Sequence, residues 1–110
     1  MTTVTFSQKG SRIIVSAREH ATGSPEVCSG ISMMLCTLEA WLINNPDNWI
    51  FHRGRLDPGD TVIEFVPAKY EVYTILDYII LGLKQLEYSY GKEFVTVKVE
   101  ETLENTGWVN

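Results

Sequence analysis

Residues 24–45, SPEVCSGISMMLCTLEAWLINN, decide how the rest of the chain is read. The hydroxyl of Ser24 can accept an amide hydrogen at a helix start, and Pro25 suits the first helical position, where a missing N–H costs little. Val27, Ile31, Met34, Leu35, Leu38, Trp41 and Leu42 then recur at three- and four-residue spacing, until Asn44, Asn45 and Pro46 stop the run. A helix with so broad an apolar face needs a surface to cover.

The flanks supply that surface. Residues 3–7 and 12–17 are rich in β-branched types, and Gln8-Lys9-Gly10-Ser11 between them predicts a turn, so the chain opens with a β-hairpin. Downstream, NWIFHRGRL (48–56) and TVIEFVPA (61–68) flank Asp57-Pro58-Gly59-Asp60, whose Pro and Gly have the dihedral preferences of a tight turn; this is a second hairpin. From Tyr70 to about Tyr90, the residues Val72, Ile75, Leu76, Ile79, Ile80, Leu83, Leu86 and Tyr90 keep a helical period, and Gly91 ends it. Residues 93–99 alternate as a last strand. The expected order is ββαββαβ, an α+β fold with two helices packed on a small, mostly antiparallel sheet.

Composition bounds the rest. A chain of 110 residues, 45% hydrophobic, is the size of one domain that builds a core without metal or disulfide help, expected over residues 1–100 with an acidic tail at 101–110. The net charge of −5 and the lack of a Lys/Arg run argue against direct nucleic-acid binding and would suit basic peptides. The start, MTTVTFSQKGSR, has no cationic leader or apolar run, and no stretch is read as a membrane span, so a cytoplasmic protein is expected. Thiols stay reduced there, and Cys28 and Cys36, eight residues apart, would be separated by about 12 Å along one helix, too far for a disulfide. With no CxxC or HxxxH, no metal site and no cofactor is expected.

The chemistry centres on His20 and Cys28, one of each of the chain's two histidines and two cysteines. A thiol is a useful nucleophile only as thiolate, and helix-start amides with a nearby imidazole stabilise that anion. The amides of residues 28–30 are candidate oxyanion donors, with Gly30 leaving room for a substrate carbonyl. Glu26 opposes the thiolate by like-charge repulsion unless it points away or orients His20. A lone cysteine on a helix is also commonly a small core residue. That is the reading for Cys36 and, for Cys28, the alternative. Met33 and Met34 read as core filler, His52 as an exposed strand residue, Trp41 and Trp49 as anchors, and Trp108 as an aromatic that docks somewhere.

Around these residues the sequence resembles the ribosomal-processing cysteine protease family, Prp, and its phage-encoded relatives. His20-Ala21, Glu26-Val27-Cys28 and Ser29-Gly30-Ile31-Ser32 match its His-Ala pair, acidic-Val-Cys segment and following helix start; LEYSYGKEFVTV (86–97) looks like its closing helix and strand. The resemblance implies a cysteine endopeptidase with Cys28 as nucleophile and His20 as general base. Ser32, Ser29, Gly30 and Glu26 would support them. It also implies a homodimer that removes an N-terminal extension from a ribosomal or phage structural protein, the substrate offering a basic, Phe-containing segment. Glu19 stands where the family has Gly, and the seven residues between His20 and Cys28 form a short loop. The rival reading is a catalytically weak or inactive dimeric peptide-binding or accessory module on the same scaffold.

Overall fold

The computed structural model describes residues 1–18, 23–57 and 59–100. Five strands and two long helices follow in the expected order: β1 (Thr2–Lys9), β2 (Arg12–Arg18), α1 (Pro25–Asn44), β3 (Trp49–Asp57), β4 (Asp60–Pro67), α2 (Glu71–Tyr90) and β5 (Val95–Val99). Ser24 caps α1 by accepting from the Val27 N–H, with Pro25 in the first turn. Gly10 and Gly59 adopt positive φ at the two hairpin turns, the conformation that favours glycine there.

The sheet order is β3-β4-β2-β1-β5, with β1–β5 parallel and the other pairings antiparallel. It follows that β2 and β3 run parallel to each other, as do β4 and β5, so α1 and α2 are each the crossover of a split β-α-β unit. The two crossovers start on antiparallel neighbours and move in opposite directions across the sheet. Right-handed connections therefore place both helices on one face.

Alternation does the rest. Val4 and Phe6, Ile13 and Val15, Ile63 and Phe65, and Val95 and Val97 turn toward the helices, against Val27, Ile31, Leu35, Leu38 and Leu42 of α1 and Leu76, Ile80 and Leu83 of α2. The helices meet closely where Met34 lies over Gly82 and Leu86 over Gly30. Strand β5 is an edge, and α2 covers it: Glu87 accepts from the Val97 N–H at 2.7 Å and Lys84 donates to the Val97 carbonyl. Among the described residues the opposite sheet face carries no helix.

Five expectations change. Cys36 and Met33 are exposed rather than core, because the stripe that turns Leu35 inward sets Cys36 about 100° round the helix and Met33 on its outer side. Tyr90, the last residue of α2, is exposed as well. His52 is not a surface residue: its side chain is 10% exposed, tilts against Trp49, and its Nε2 lies 2.7 Å from Glu39 Oε1. Helix α1 does meet the length and apolarity of a membrane span, with mean hydropathy 1.4, because Glu26 and Glu39 are its charged residues; here its stripe is core against the sheet. Trp108, with the rest of residues 101–110, lies outside the described residues.

Candidate active site

Cys28 is the fourth residue of α1 and half-buried. Three successive turns of that helix present Cys28, Ser32 and Cys36 on one row, since residues four apart stack on a helix face. Opposite them stand Leu56 and Asp57 from the end of β3, Gly59 from the turn, and Thr61 from β4. Together with Leu35 they enclose a groove of about 370 Å³. The fold thus brings the β3–β4 hairpin, thirty residues downstream in sequence, against the candidate nucleophile.

The proposed supporting residues divide. Ser32 is exposed and lines the groove one turn from Cys28. Gly30 points elsewhere: a Cβ there would stand 2.8 Å from Leu86 Cδ1, so its lack of side chain serves the approach of α2 rather than of a substrate carbonyl. Ser29 is exposed and is not part of the groove wall. Glu26 turns back to the helix cap, where its carboxylate accepts a hydrogen bond from the Ser24 hydroxyl at 3.0 Å. There it also complements the positive end of the helix dipole. His20 lies outside the described residues, between the end of β2 at Arg18 and the cap at Ser24.

The amides of residues 28–30 are committed to the helix. The Cys28 N–H donates to the Ser24 carbonyl at 3.1 Å, and Ser29 and Gly30 sit where each N–H pairs with the carbonyl four residues back. An oxyanion at Cys28 would need other donors.

His52 is held apart from this groove. Its partner Glu39 is eleven residues beyond Cys28, about 16 Å along α1. Gly54 lets the same carboxylate close in, since a Cβ there would collide with Glu39. This contact fastens α1 to β3, and Trp49 adds to it by donating from Nε1 to the Leu42 carbonyl at 2.7 Å.

Sequence reasoning missed Leu35, Cys36, Leu56, Asp57, Gly59 and Thr61 as groove residues. The helical period that carries Cys28 and Ser32 could have found Cys36 on the same row, whereas no local signal marks Leu56, Asp57, Gly59 and Thr61, which meet Cys28 only through the crossover that places α1 over the second hairpin.

No family model and no curated protein sequence matches the chain. Solved structures do. The essential ribosomal processing protease Prp from S. aureus, in complex with a substrate peptide, superposes with a TM-score of 0.67 at 19% identity, covering 91% of this chain and 100% of that one. The same protease with a covalently linked product peptide gives 0.64 at 20% identity, with 91% and 100% covered. SMU.848 from Streptococcus mutans gives 0.66 at 20% identity, with 90% and 96% covered. At these identities the likeness is one of fold. It spans nine-tenths of the chain and agrees with the resemblance carried by residues 20–32.

Proposed function

We propose that this chain, which shares the fold of the Prp protease structures, is a cysteine endopeptidase that trims an N-terminal extension from a ribosomal or phage structural protein. The observation that carries the reading is the placement of Cys28, half-buried in the first turns of α1 on the wall of a groove of about 370 Å³. Leu56, which is exposed on the groove wall, suits an apolar or aromatic side chain there, and Asp57 suits a cationic neighbour. This matches a basic, Phe-containing segment.

Cys28 supplies the sulfur that attacks the scissile carbonyl. His20 accepts the thiol proton and returns it to the leaving amine, giving an acyl-enzyme that water then hydrolyses with His20 again as base. With His52 engaged by Glu39, a residue about 16 Å from Cys28 along α1, His20 is the histidine the chain has for this role. Ser32 supports the dyad through its hydroxyl, one turn along the groove wall. The enzyme works as a homodimer in the cytoplasm, where Cys28 and the exposed Cys36 remain thiols.

The test is cleavage of a basic, Phe-containing peptide by the full chain. Cys28→Ala and His20→Ala should each abolish cleavage with the circular dichroism spectrum unchanged, while Cys36→Ser retains it. Full activity in Cys28→Ala would end the proposal, and peptide binding without cleavage by the unaltered chain would favour the binding-module reading.

A further inference from the structure

The sequence disperses its four arginines, at positions 12, 18, 53 and 55, and no basic run is visible. The fold gathers all four on the open face of the sheet. They border two adjoining hollows of about 550 and 640 Å³ that share Ile14, Arg53 and Glu64, and Lys9 joins the rim of the second. The floor is apolar, from Ile14 and Val62 to Val66. Arg12 and Arg53 both lie over the Phe51 ring, at 4.7 and 6.0 Å from its centroid.

Acidic groups on this face answer part of the charge. Glu64 accepts from Arg12 and Arg53, and Arg55 pairs with Asp60 at 2.8 Å and Asp57 at 3.6 Å. Among the described residues, five cations against three carboxylates leave the trough positive on a chain whose net charge is −5. These are exposed pairs, so they are readily exchanged for another carboxylate.

We infer that residues 101–110, ETLENTGWVN, dock in this trough, with Glu101 and Glu104 meeting the arginines and Trp108 lying on the apolar floor. Chemistry and reach both support this occupant. The segment is acidic where the trough is basic, and its one aromatic is of the kind that guanidinium groups and aliphatic floors accept. Its point of departure is fixed: β5 ends beside β1, with the Glu100 N–H donating to the Phe6 carbonyl at 2.9 Å. The row Val99–Phe6–Val15–Ile63–Gly54 crosses the whole sheet there, and the next row in the direction of travel contains Ile14, Glu64 and Arg53. From β5 to β3 is four strand spacings, about 19 Å. Nine residues from Val99 to Trp108 span up to about 30 Å. A tethered ligand of this length also works at high effective concentration, so individually weak pairs suffice.

The experiment uses the ¹⁵N-labelled full chain and its three indole N–H signals, with that of Trp108 identified by Trp108→Phe. Docking predicts a Trp108 signal displaced from its position in the free peptide of residues 100–110. It returns to that position in Arg12→Gln/Arg53→Gln and in about 0.5 M NaCl, where the screening length falls to roughly 4 Å, while the Trp41 and Trp49 signals report an intact fold. Glu64→Gln, which removes the internal competitor, should raise the salt concentration needed for release. A Trp108 signal at the free-peptide position in the unaltered chain, or one unmoved by the arginine changes, would overturn the inference. So would a displacement that vanishes on dilution, which would place the segment on another copy.

Discussion

At the scale of single residues, one helix row carries the candidate chemistry and its neighbours carry packing. Cys28, Ser32 and Cys36 share the groove wall, whereas Gly30, two positions from Cys28, faces Leu86 of α2. Gly30→Ala separates these roles. Alanine gains up to about 1 kcal/mol of helix propensity, set against displacing Leu86 Cδ1, the mobile end of a half-buried side chain, from a contact of 2.8 Å. The expected outcome is a shift of less than about 1 kcal/mol in urea unfolding with peptide cleavage unchanged. Cleavage lost without loss of stability would return Gly30 to the site. Cys36 shows what was legible at this scale. The spacing that buries Leu35 also exposes Cys36, so its exposure follows from the helical period; the habit of counting cysteine as core concealed it. The burial of His52 was not legible, since its partner Glu39 is thirteen positions upstream on another element.

At the scale of elements, both helices and both hairpins were legible because their signals are local: three-and-four spacing, Ser24-Pro25 at a start, Gly91 at an end, and Gly10 and Gly59 where positive φ is needed. What joins the elements was not. The contact of Glu39 with His52 and with the bare backbone of Gly54 fastens α1 to β3, next to the hairpin that forms the far wall of the groove. Glu39→Ala should cost about 1 to 2 kcal/mol through the lost, largely buried hydrogen bond. Gly54→Ala should cost a comparable amount, because its Cβ takes the space of the same carboxylate. The double variant tests the shared cause: in a denaturant-based cycle the Gly54→Ala penalty should shrink markedly once Glu39 is gone. Additive penalties would mean the two positions act independently.

At the scale of the whole molecule, the class α+β and the order ββαββαβ were legible, but the sheet order β3-β4-β2-β1-β5 was not, since the pairs β2–β4 and β1–β5 that join the two hairpins and the last strand are set by crossovers and not by adjacency in sequence. The parallel β1–β5 pair closes the sheet from opposite ends of the described chain and buries Val95, Val97 and Val99. Val97→Ala should therefore lower stability by about 1 to 3 kcal/mol as one cooperative unit, seen as a lower urea midpoint with an unchanged slope. The same architecture supports the functional reading, because α1 crosses over the second hairpin and so faces Cys28 with Leu56, Asp57 and Thr61. The central claim is that the sulfur of Cys28 is activated there, and Cys36, exposed on the same groove wall, is its internal control. The direct measurement is the rate of alkylation of each cysteine by iodoacetamide from pH 5.5 to 9, read by peptide mass spectrometry. The account predicts that Cys28 reacts faster than Cys36 at neutral pH and below, and that His20→Ala removes the advantage; a Cys28 no faster than Cys36 or than a small thiol throughout would contradict it.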